Sequence, residues 1–248
     1  MITDESIAGP PPEVHKTNSF QRMAGAIFAP VSTFAEIARS PDWVLPLILF
    51  TLISVVSSFL IVPHLDMEST IRQQLESRHQ SAEKIERSVE LANKIKSFVP
   101  YISLVTTPIV LLILGGVFLI AFQMFGGEGS FLQYLAVVLY AWIPLVLQGI
   151  LTTALVSTRG SIGQEEMLSV VRSNPGFLVN PHSAPVLFAL LSSLDVFTIW
   201  MLALLVIGCA FVSRLSRKSS TAIIVALWAV VLLFKVTMAV IRGVGAGA

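Results

Sequence analysis

The side chains able to do chemistry in this 248-residue chain are few and far apart. Its four histidines, His15, His64, His79 and His182, stand in polar stretches. None lies in an H-E-x-x-H pattern or at a metal-ligand spacing from another. No serine sits in G-x-S-x-G, the turn that would expose it as a nucleophile, and no glycine-rich phosphate loop follows a strand pattern. The single cysteine, Cys209, lies in an apolar run and can form no intrachain disulfide. Intramembrane aspartyl proteolysis needs two carboxylates, one held protonated while the other acts as base, and Asp195 is the one acid inside a long apolar run. These patterns predict no catalytic residue, no cofactor site and no metal site.

Two charges remain to be explained, Asp195 and Lys235, because a charge in hydrocarbon costs a few kcal/mol on insertion scales. Counted from the short loop between their runs at 1.5 Å per residue, Asp195 lies about 26 Å deep and Lys235 about 22 Å. Antiparallel neighbours would bring them to nearly one level. A proton or ion relay, a bundle-locking salt bridge, and a lysine that snorkels to the far interface all fit that spacing. The salt bridge is favoured, since a relay needs a chain of titratable groups and only these two are present.

The elements that must position them are apolar helices. Charged residues make up 12% of the chain, against about 25% in a typical soluble domain, so much of the surface must be solvated by lipid. A formal net charge of +1 excludes the concentrated basic face a nucleic acid would need. Five stretches, near 43–62, 101–125, 131–156, 186–212 and 220–241, reach the roughly 20 residues a helix needs to cross a bilayer. Helix is the form lipid permits, since hydrocarbon offers backbone groups no partners. The expected architecture is an all-α polytopic bundle of about five spans, preceded by an amphipathic helix. It forms one membrane domain over 17–248, after a disordered tail over 1–16 that reads as no signal peptide.

Between the spans, residues 19–40 place Phe20, Ile27, Phe28 and Phe34 on one helical face, with Pro30 starting a second piece. The segment is expected in the membrane interface or packed beneath the bundle. Residues 66–97, with Glu83–Arg87 and Glu90–Lys94 pairs and a seam through Leu75, Ala82, Ile85, Val89 and Ala92, predict one long amphipathic helix outside the membrane. Gly126 and Gly127 mark a tight turn that makes the second and third spans a hairpin. Pro108 and Pro144 interrupt those spans and are expected to kink them, while Gln123 and Gln148 should bond between helices. A plain count of Lys and Arg, six against nine, opposes a cytoplasmic N-terminus. The acid-free cluster Arg214, Arg217 and Lys218 sits in a short loop, where the positive-inside rule is strongest, and favours it.

Several pieces, in order, resemble the Yip family, five-span membrane proteins named for interaction with Ypt/Rab GTPases, and in particular its bacterial branch. They are Pro30-Val-Ser-Thr-Phe34, Phe125-Gly-Gly-Glu-Gly-Ser-Phe131, Tyr140-Ala-Trp-Ile-Pro144, Asp195-Val-Phe-Thr-Ile-Trp200 leading to Gly208, and the turn ending at Lys218. The resemblance implies a cytoplasmic N-terminus and a place in a bacterial inner membrane. It implies a scaffold, partner-binding subunit or membrane-organising factor rather than an enzyme. Its expected partners are the lipid bilayer and another membrane protein or a second copy of itself. The competing expectation is a transporter component or accessory subunit that uses Asp195, Lys235 and the kinked spans.

Overall fold

The computed structural model describes residues 17–76, 79–163, 167, 170–181 and 183–246. The expected disordered tail 1–16, and with it His15, lies outside the described residues, as does His182. Among the described residues ten α-helices follow in order: α1 Ser19–Phe28, α2 Pro30–Arg39, α3 Val44–Ile61, α4 Met67–Glu76, α5 Ala82–Met124, α6 Phe131–Ala141, α7 Ile143–Ser157, α8 Pro185–Ser192, α9 Val196–Ser213 and α10 Arg217–Ala246. Four of them, α3, α5, α9 and α10, are long and apolar enough to cross a membrane, and α6 with α7 meets the same measure as a bent pair, which gives four to five spans. The protein is a multi-pass helical bundle.

The bundle is organised round α6. Every residue from Tyr134 to Ala141 is fully buried, as befits a helix that is apolar on all sides. It is wrapped by α5, α9 and the α1–α2 pair. Its two tyrosines keep their hydroxyls satisfied: Tyr134 donates to the Glu128 carbonyl at 2.7 Å and Tyr140 to the Asp42 carboxylate at 3.2 Å. The chain reverses from α5 into α6 through Gly126 and Gly129, at φ of +78° and +106°, values that favour residues without a Cβ. Gly127 has no room for a side chain, since a Cβ there would stand 2.9 Å from the Phe122 carbonyl oxygen.

Two expectations about the helices need correction. The charged segment 66–97 is not one helix. α4 ends at Glu76, and Ala82 opens a 43-residue helix that runs unbroken through the second span, about 64 Å at helical rise. The seam residues Ile85, Val89 and Ala92 are buried, and α4 folds back against α5 to cover them, with Arg72 reaching Glu86 at 2.9 Å. Pro108 does not end that helix. The fourth span is not continuous over 186–212: it breaks at Ser193–Asp195 into α8 and α9, because Asp195 caps α9. The third span breaks at Trp142 with a 40° bend. Pro144, at the start of α7, lacks the N–H that would have bonded the Tyr140 carbonyl.

Close packing shows most clearly at Gly208 in α9. A Cβ there would fall 2.6 Å from Val137 Cγ1 and 2.7 Å from Phe34 Cδ1, so α9, α6 and α2 meet at one backbone. Gly116 in α5 is the contrast, with nothing within 4 Å of an added Cβ. Gly208→Ala is expected to destabilise the protein by about 1–3 kcal/mol through overpacking. Gly116→Ala should be neutral or stabilising by up to about 1 kcal/mol. Thermal unfolding in detergent compares the two, and equal midpoints would refute the three-way contact.

Candidate functional site

Two polar assemblies stand out, one at each end of the bundle. The first holds the α1–α2 pair. Asn18 and Gln21 form a reciprocal capping box that starts α1. Pro30 opens α2 after the turn at Ala29, and Gly25 lets the two helices touch at Thr33. Arg22, only 5% exposed, lies between them. Its guanidinium donates to Glu36 at 2.8 Å and to the Ser40 carbonyl at 2.8 Å, and Thr17 donates to the same carboxylate. Burial works to raise the Glu36 pKa, but the bonds from Thr17 and Arg22 outweigh it and hold the carboxyl below its usual 4.5. Asp42 accepts from Ser19 and from Tyr140, and Gln133 donates to the Ala38 carbonyl at 2.6 Å, which ties the pair to α6.

This pair presents two different faces. Phe34 and Ile37 are fully buried in the bundle core, and Ile27 packs half-buried against it. Phe20, Phe28 and Val31 face outward, 61%, 85% and 45% exposed. The expectation of one shared face for Phe20, Ile27, Phe28 and Phe34 is thereby corrected: the break at Ala29 turns α2, so that Phe34 points into the protein and Phe28 away from it.

The second assembly surrounds Asp195, which is 4% exposed. One carboxylate oxygen accepts the Phe197 and Thr198 N–H groups at 2.9 and 3.2 Å, capping α9. The other accepts from Ser173, from Gln148 of α7 at 3.0 Å and from Asn174 at 3.5 Å. The broken backbone is paired as well, since Val196 N–H donates to the Ser173 carbonyl at 3.1 Å. Five donors around one carboxylate stabilise its charge without a cation.

Lys235 is not a partner of Asp195. It is exposed on α10, and no ion pair among the described residues joins the two. Lys235 faces outward while Asp195 is buried, and the register also differs from the count. Ser220 donates to the Val206 carbonyl at 2.9 Å, so the α10 chain enters deeper than a count from the loop assumes. From that contact Asp195 lies eleven residues away, about 16 Å, and Lys235 fifteen, about 22 Å. Gln148 bonds between helices, whereas Gln123 is exposed and bonds to no neighbouring helix among the described residues. Trp200 packs partly buried against the core, and Lys218 is exposed in the first turn of α10. Arg22, Glu36, Asp42, Ser173 and Asn174 were missed. The signal for the last three was a short polar residue beside a helix start, and for the Arg22–Glu36 pair there was none, since fourteen residues separate them.

Asp195→Ala removes a cap and strands several buried donors, at an expected cost of about 2–4 kcal/mol. Lys235→Met should change stability by less than about 0.5 kcal/mol. In a double-mutant cycle of Asp195→Asn with Lys235→Met the effects should add. A coupling above about 1 kcal/mol would restore the ion pair.

Comparison with known proteins finds a match to the Yip1 domain family model over residues 24–238, from the middle of α1 to beyond Lys235. No curated protein and no solved structure matches the chain. A match of that extent, on a bundle with four to five spans, shows that this chain belongs to the Yip1 domain family.

Proposed function

We propose that this protein is a non-enzymatic scaffold of the membrane: a partner-binding or membrane-organising subunit that presents the α1–α2 pair in the interface of the cytoplasmic leaflet. The observation that carries this reading is the two-faced platform. Phe34, Ile37 and Arg22 fix it to the bundle while Phe20, Phe28 and Val31 stand outward. Two exposed phenylalanines on a helix pair at the end of a membrane bundle suit the headgroup region, where apolar side chains reach the acyl boundary. Membership in the Yip1 domain family supports the reading. The partner is a second membrane protein or another copy of this chain, and the setting is the inner membrane of a bacterium. A transport role would have used Asp195 with Lys235, and the Asp195 carboxylate is instead occupied by five donors of its own chain.

Spin labels along 19–40 in reconstituted protein should report shallow membrane depth at positions 20 and 28. Phe20→Asp with Phe28→Asp should expose the segment to water while the bundle stays folded. Uniform water exposure of the wild-type segment would refute the interface placement. Orientation is checked in intact cells after Cys209→Ala: an impermeant thiol probe should reach a cysteine at position 87 and not one at 217, and the reverse pattern inverts the topology.

The platform should also weaken in acid. A carboxyl whose pKa is lowered by folding contributes stability that is present above its unfolded value near 4.5 and lost as pH falls through the folded value. Mobility of labels on α1 should therefore rise below about pH 4.5. Glu36→Gln should abolish that rise, and a rise that persists in Glu36→Gln would assign the acid response to another group.

A further inference from the structure

Between α3, α5 and α7 runs a groove of about 610 Å³. Phe50, Leu111 and Trp142 close it at one end, and Ile61, Leu65 and Met167 at the other. From Phe50 to Leu65 its wall follows fifteen residues, about 22 Å at helical rise. One leaflet of hydrocarbon is about 15 Å deep, half of the roughly 30 Å core, so the groove can take a chain along the full depth of a leaflet. It lies on the outside of spans that only lipid can solvate.

Four of its seven lining hydroxyls already donate within the chain. Thr152 donates to the Gln148 carbonyl at 2.9 Å, Thr153 to the Gly149 carbonyl at 2.8 Å, Ser58 to the Ser54 carbonyl at 2.8 Å and Thr107 to the Ser54 hydroxyl at 2.9 Å. A polar group entering here would give up most of its hydration between walls that are mainly apolar. Hydrocarbon would not. The mouth at Leu65 is different. Lys96 comes down on the Leu65 carbonyl, 2.7 Å from it, and is partly buried there. An ammonium has three donors, and this bond takes one. Asp66, next in the chain, accepts the Ser69 N–H at 3.0 Å; that bond, and after it the nearby Lys96 charge, hold its carboxyl below the usual range, although no ion pair joins Asp66 and Lys96 among the described residues. Phe98 and Tyr101 stand exposed in the turns that follow Lys96, rings of the kind that line a membrane–water interface.

An apolar slot of leaflet depth with a cation at its interfacial mouth is complementary to one kind of molecule. We propose that this groove holds an acyl chain of a glycerophospholipid from the leaflet on the α4 side, with the lipid phosphate on the Lys96 ammonium. The chain fills the space between α3, α5 and α7, and the headgroup sits where α5 leaves the membrane.

Gly149 supplies the test. It lines the groove, and an added Cβ there meets nothing within 4 Å, so Gly149→Phe starts into open space and its ring is expected to occupy the slot. Ser57→Phe, on the opposite wall, serves as a second blocking variant should the first fold poorly, and Val230→Phe on the exposed side of α10 serves as control. Native mass spectrometry of protein extracted in mild detergent and exchanged into phosphatidylglycerol should show one retained phospholipid per chain in wild type and in Val230→Phe. Retention should fall about tenfold or more in folded Gly149→Phe or Ser57→Phe. Wild type should prefer the phospholipid to diacylglycerol with the same chains, and Lys96→Gln should lose that preference. A photoactivatable acyl chain should crosslink to groove residues in wild type. Wild-type retention in both folded blocking variants, crosslinks as dense on α10 as in the groove, or equal retention of diacylglycerol by wild type would each overturn the proposal.

Discussion

Everything at the α1–α2 end of this bundle depends on the absence of a side chain at Gly208. There α9 lies so close to α6 and α2 that Val137 and Phe34 both rest on its backbone. Phe34 is thereby carried into the core from a segment that is otherwise half polar, and α2 becomes part of the bundle rather than a helix resting on it. Overpacked interiors relax by moving elements and not by compressing them. A single methyl at Gly208 therefore acts on three helices at once.

Once α2 is fixed, α1 has little freedom. Gly25 brings it against Thr33, Arg22 reaches Glu36 and the Ser40 carbonyl, and Asp42 joins Ser19 to Tyr140 of the central helix. These polar bonds are not a source of net affinity between helices, since a buried ion pair roughly balances its desolvation. They fix orientation. The outcome is that Phe28, one residue before the break, faces away from the protein while Phe34, six residues on, is enclosed. A flexible amphipathic helix would find its own depth in the interface. This one is held in place by the bundle.

The length of the apolar runs was enough to locate the helices long and apolar enough to cross a membrane, because hydrophobic length follows from bilayer thickness. Pro30 and the glycine-rich turn were legible for the same kind of local reason: a missing N–H and a positive φ leave their residue types behind. What periodicity could not reveal was where helices stop being continuous. The run 186–212 is uniformly apolar except for Asp195, and a lone acid there reads equally as a buried charge or as a helix cap. Continuity failed in the other direction at Ala82–Met124, where a change of composition near Phe98 suggested a boundary and the backbone ran straight through. Composition reports the solvent around a helix, and a helix may pass from one solvent to another without ending. The Arg22–Glu36 pair was hidden because it forms only after α1 and α2 have met.

The two breaks support each other through Gln148. Non-helical backbone within a membrane is tolerated where it is buried in protein and every polar group finds a partner. α6 gives way to α7 at Trp142, and the bend turns Gln148, six residues on, toward the second break at Asp195. There the Asp195 carboxylate accepts Gln148 together with Ser173 and the first N–H groups of α9, while the Ser173 carbonyl accepts the Val196 N–H. The loop that follows α7 is therefore drawn back into the bundle as the polar lining of a helix start. One acid thereby holds α7, α9 and that loop together, and it needs no lysine to do so. An isolated carboxylate in an apolar run is thus explained by the backbone around it before any charged partner is sought.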